Sequence, residues 1–74
     1  MNVFVELFGQ FSDHSDRCHT LNLEQPITVG EAAVHLKLDL EQVGLITING
    51  VQSEMDDLLV PDCRLCFFPY IFGG

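Results

Sequence analysis

From Leu65 to Phe72 every residue is apolar or aromatic: Leu65-Cys66-Phe67-Phe68-Pro69-Tyr70-Ile71-Phe72. In an extended chain successive side chains alternate between faces, so this run is apolar on both. A strand of that kind belongs in the middle of a sheet that is covered on at least one side. Residues 64–69 are therefore expected to form a central, final strand. Gly73-Gly74 follow at once. Residues 70–74 are expected to be a flexible tail, on a single domain spanning 1–74. The chain has 74 residues, and a core of that size leaves only about 3–5 kcal/mol of net stability. It leaves no room for a deep substrate cavity, so an enzyme active site is not expected.

The rest of the chain supplies partners for that strand. Val3-Phe4-Val5-Glu6-Leu7-Phe8 read as a first strand ended by Gly9. Val3, Val5 and Leu7 share one face; Phe4, Glu6 and Phe8 share the other. Residues 9–17 read as a loop, and residues 18–24 as a second strand of ambiguous register. Thr28-Val29-Gly30-Glu31 has the form of a capping box, in which the Thr28 hydroxyl and the Glu31 carboxylate satisfy each other's amides. A helix is expected from Val29 to about Lys37, with Val29, Ala32, Ala33 and Leu36 as its apolar stripe. Leu45-Ile46-Thr47-Ile48 read as a third strand. Asn49-Gly50 is a strong hairpin signal because both residues tolerate positive φ, and Val51-Gln52 begin the returning strand. Residues 54–63 read as an irregular crossover, with Leu58, Leu59 and Val60 plugging the core. The fold class is α+β: a mixed four- to five-stranded sheet with one main helix on one face. The other sheet face looks outward, at least in part.

Eleven acids stand against Arg17, Lys37 and Arg64, a net charge of −8. Nucleic acid and anionic lipid would be repelled, so neither is expected as a partner, whereas a protein with a basic docking face fits. The N-terminus has neither a basic stretch nor a long apolar run, so it does not read as a signal peptide. A cytoplasmic location is expected, with Cys18, Cys63 and Cys66 as reduced thiols.

Taken together, Val5-Glu6-Leu7-Phe8-Gly9, the cap Thr28-Val29-Gly30-Glu31, the hairpin Ile48-Asn49-Gly50, and Phe67-Phe68-Pro69 followed by Gly73-Gly74 resemble the ubiquitin-like β-grasp sulfur carriers over essentially the whole length. The likeness is nearest to the small subunit of molybdopterin synthase, with the thiamin-pathway carrier a near second. Two positions depart from the family pattern. Asp62-Cys63 stands where Gly-Asp is common, although Asp also tolerates the left-handed region. Phe72 stands where a small residue is usual before the glycines.

The resemblance implies a carrier, not an enzyme. An ATP-dependent adenylating enzyme related to ubiquitin activators would activate the Gly74 carboxylate. Sulfur transfer would then give a C-terminal thiocarboxylate. The tail would enter a synthase large subunit and donate sulfur toward molybdopterin; thiamin thiazole or another acceptor, or conjugation to protein lysines, are the alternatives. Gly73 matters because a Cβ there would narrow the approach. No cofactor is expected to be bound permanently; ATP is used by the partner. Phe67, Phe68, Pro69, Tyr70 and Phe72 are the candidate partner contacts, since aromatic side chains are frequent interface anchors. Phe67 and Phe68 point to opposite faces, so one of them is expected in the core.

Other constellations carry less. Cys63 and Cys66 have the spacing of half a zinc site but lack companion ligands, so no metal site is expected. His14, His19 and His35 do not cluster. Asp56-Asp57 read as a turn. A plain interaction domain, docking through its open sheet face, is a third functional reading; it predicts full function without the tail.

Overall fold

The computed structural model describes residues 1–12 and 16–70. Five strands, β1 (Asn2–Leu7), β2 (Cys18–Asn22), β3 (Val43–Ile48), β4 (Val51–Gln52) and β5 (Arg64–Pro69), form one sheet in the order β2-β1-β5-β3-β4. One helix, α1 (Val29–His35), covers one face. Single 3₁₀ turns stand at Gly9–Ser12 and Leu40–Gln42. The apolar run lies where its composition demands. β5 is central, parallel to β1 on one side and antiparallel to β3 on the other.

Alternation along the strands builds the core. Leu7, Phe67 and Ile46 stand in one row across β1, β5 and β3; Val5, Leu65 and Ile48 stand in the next. Val29, Ala32 and Ala33 of α1 are fully buried against them. The two alanines let the helix backbone approach the sheet closely. β2 adds Leu21, paired with Val3, which settles its register: Leu21 faces the core while Cys18 and Thr20 face out.

The cap forms as expected. The Glu31 amide donates to Thr28 Oγ1 at 3.1 Å, and the Thr28 amide donates to Glu31 Oε1 at 3.0 Å. The helix is two residues shorter than expected. Leu36 is its C-cap and Lys37 takes φ 61°. The Lys37 amide donates to the Val34 carbonyl and the Leu38 amide to the Ala33 carbonyl, each at 3.0 Å. This is a Schellman ending in which lysine occupies the place glycine usually fills. Asn49 and Gly50, at φ 51° and 82°, make the hairpin turn, and Asp62, at φ 60°, turns the chain into β5.

The crossover differs from expectation. Only Leu59 plugs the core; Leu58 is 62% and Val60 50% exposed. The segment is extended there, with a bridge between Thr28 and Leu58 and a bond from the Leu59 amide to the Ile27 carbonyl. Alternation then turns both neighbours of Leu59 outward. Asp57 forms the expected turn, its Oδ2 accepting from the Glu54 amide at 2.8 Å. Among the described residues, no helix is long and apolar enough to cross a membrane.

Candidate functional site: the open sheet face and the exit of the last strand

The sheet face away from α1 carries Phe4 and Glu6 from β1, Phe8 just after it, and Arg64, Cys66 and Phe68 from β5. Leu45 and Thr47 join them from β3. It has a polar middle and an apolar end. In the middle, the Glu6 side chain is only 15% exposed and binds two arginines: Arg17 Nε lies 3.3 Å from Oε2, and Arg64 bonds Oε1. The bond to Glu6 pushes the Arg64 guanidinium further above its usual range, with the neighbouring Cys66 thiol acting in the same direction. Two of the three basic residues of an acidic chain are thus gathered on one face. Sequence reasoning missed this grouping, because the three residues are far apart along the chain and meet only through strand pairing.

At the apolar end, Phe8 and Phe68 stack at 4.4 Å with their rings 11° from parallel. The Arg17 guanidinium lies 4.8 Å from the Phe8 centroid, a cation–π contact. Leu45 pairs with Phe68 and is 38% exposed; Tyr70 is 53% exposed. Phe68, Pro69 and Tyr70 therefore stand on or beside the open face, at the end from which the chain leaves the sheet. Phe67 does not. It is 0% exposed, because alternation sends it to the helix side, between Leu7 and Ile46. The expectation that Phe67 contacts a partner is corrected; it is a core residue. Phe72, Gly73 and Gly74 lie outside the described residues, as does His14.

The exit is held from both flanks. The Phe8 amide donates to the Phe67 carbonyl and the Tyr70 amide to the Gln42 carbonyl, both at 3.1 Å. Gln10 Nε2 donates to Gln42 Oε1 at 3.1 Å, linking the two flanks across β5. Two glycines line the passage. A Cβ on Gly9, itself at φ 58°, would stand 2.8 Å from Pro69 Cγ. On Gly44 it would stand 3.0 Å from the backbone nitrogen and Cα of Tyr70. Gly44 sits where the β3–β5 register slips between Val43 and Leu45, an irregularity of the bulge kind. An isolated glycine at the head of an apolar strand is the sequence signal for such an approach.

Cys63 and Cys66 are both buried, but Cys63 belongs to the core and Cys66 to the open face, so they share no site. Among the described residues, no group of three or more His, Cys, Asp or Glu is placed to hold a metal.

Solved structures with this arrangement exist. SAMP1 from Haloferax volcanii superposes with a TM-score of 0.75 at 20% identity, over 100% of both chains. A second crystal structure, of the H. volcanii small archaeal modifier protein 1, gives 0.76 at 19% identity, over 95% of this chain and 98% of that one. A Pyrococcus furiosus protein described as molybdopterin converting factor, subunit 1, gives 0.75 at 20%, over 96% and 99%. This is the ubiquitin-like β-grasp fold. At these identities the likeness speaks for the fold alone. No family model and no curated protein sequence matches the chain.

Proposed function

We propose that this β-grasp protein is a sulfur carrier that works through the carboxylate of Gly74. The observation that carries the reading is the junction at the end of β5. The central strand of a rigid body passes between two glycine-lined flanks beside an apolar patch, and the sequence continues within five residues to Gly73-Gly74. Five residues reach at most about 18 Å, far enough to enter a partner's active site while the body docks outside. Ordering such a tail costs about 1–2 kcal/mol per residue. Docking of Phe68, Leu45 and Tyr70 offsets that cost.

In this reading an adenylating enzyme joins the Gly74 carboxylate to AMP, releasing pyrophosphate from ATP. A hydrosulfide-level sulfur nucleophile then attacks the acyl carbon. The C–S bond forms as the C–O bond to AMP breaks, AMP leaves, and the S–H proton is lost to give a thiocarboxylate. The carrier supplies no base and no metal; it docks and presents its acyl end. A larger synthase subunit then receives the tail, in the cytoplasm, and sulfur passes toward molybdopterin. The likeness to a protein described as molybdopterin converting factor, subunit 1, supports that acceptor. The likeness to a small archaeal modifier protein favours a second reading, in which the activated end is joined to lysines of target proteins. Intact-mass measurement separates the two. With ATP, a sulfur source and the activating enzyme, a carrier gains the mass difference between sulfur and oxygen and loses that gain when Gly74 is deleted. A modifier instead yields higher-mass adducts with its targets. An unchanged mass under all these conditions would end both readings.

A further inference from the structure

The face opposite the proposed docking surface carries its own feature. A shallow groove of about 580 Å³ runs over the outer side of α1 and is lined by Thr28, Glu31, Val34, His35, Leu40 and Met55. Its floor is apolar: Val34 is 64% and Leu40 43% exposed, and the exposed Leu58 lies beside Thr28. Its surroundings are acidic. Glu31 lines it, Asp39 and Glu41 flank Leu40, and Glu54, Asp56 and Asp57 belong to the turn that carries Met55. These are six of the eleven acids, all exposed. Arg17 and Arg64 are bound to Glu6 on the far side of the sheet. Lys37 follows α1 and is the one lysine of the chain.

We infer that this groove docks a lysine- or arginine-rich amphipathic segment of a partner protein, separately from the open sheet face. The charge decides the occupant. A second copy of a chain with net charge −8 would bring like charge against the six carboxylates, and nucleic acid or anionic lipid would do the same. A basic segment with spaced apolar anchors covers Val34 and Leu40 while its cations face the acidic rim, the helix-in-groove mode of recognition. Because α1 and the open face lie on opposite sides of the sheet, one chain can hold both partners at once.

The test uses the isotope-labelled full chain and two synthetic peptides with equal numbers of lysines. One has leucines at i, i+3, i+4 and i+7, and the other has serines in their place. The leucine peptide is expected to shift the amide signals around Val34, Leu40 and Met55 saturably, and to bind on the order of tenfold more tightly than the serine peptide. Val34→Asp makes the groove more acidic but spoils its floor; binding should fall on the order of fivefold, the loss of part of one buried side chain. Glu54→Gln with Asp56→Asn should also weaken binding and flatten its dependence on salt. Val34 is exposed, so the variant should fold, and its own spectrum checks this; Leu40→Ser serves if it does not. The inference is overturned by absence of saturable binding, by equal affinity for both peptides, by shifts centred on Phe4 and Phe68, or by tighter binding to the Val34→Asp chain.

Discussion

Gly44 illustrates what a single position decides here. Its missing Cβ leaves room for the backbone of Tyr70, which a Cβ would meet at 3.0 Å, tighter than most ordinary contacts. Gly44→Ala should cost about 1–3 kcal/mol as the strand end is forced aside. The amide signal of Tyr70 should move with it, and transfer from Gly74 should fall more than the stability loss explains. Comparing thiocarboxylate yield with denaturation midpoint checks this. The neighbouring phenylalanines give a second contrast. Phe67→Ala removes a fully buried ring and should cost about 3–5 kcal/mol. Phe68→Ala removes a half-buried ring stacked on Phe8; it should cost less than half as much yet weaken binding of the activating enzyme. Urea unfolding beside a binding titration separates the two roles. The sequence pattern alone told that these rings part company, because alternation is local. Which of them faces the helix depended on the register with β1 and β3, which is not local.

At the scale of elements, the ends of α1 obey the same physics with different legibility. The N-terminal capping box could be read directly, since Thr28 and Glu31 are three apart and answer only to each other. The C-terminal stop could not, because Lys37 holds a left-handed position without the glycine that signals one. Two measurements follow. Thr28→Ala should destabilise by about 1 kcal/mol, lowering the melting temperature by about 4–8 °C for a domain of this size. Lys37→Gly should stabilise by about 0.5–1 kcal/mol, relief of backbone strain exceeding the added freedom of the unfolded chain. The hairpin and the last strand announced themselves through Asn49-Gly50 and the apolar run. The crossover was harder. Leu58, Leu59 and Val60 look alike in composition, and only the bridge from Thr28 to Leu58 decides that the middle residue turns inward.

For the whole molecule, the element order and the central place of β5 were legible, while the division of charge was not. Glu6 gathers two arginines on one face, while on the other Glu31 lines a groove whose Leu40 and Met55 come from acidic segments; both groupings arise from chain segments distant in sequence. With a net charge of −8, self-repulsion opposes the compact state. Raising ionic strength from about 0.01 M to about 0.15 M shortens the screening length from about 30 Å to about 8 Å, and the melting temperature should rise; a scan at several salt concentrations tests it. The topology has one more consequence. Among the described strands, β5 alone pairs with both the β2–β1 and the β3–β4 halves of the sheet, and it is the last of them to emerge from the ribosome. Until it emerges, β1 and β3 have nothing between them and the body cannot close. A fragment ending before Arg64 should therefore stay unfolded, which limited proteolysis of residues 1–63 beside the full chain checks. Under the proposed function, the strand that closes the sheet is made before the glycines that would be activated.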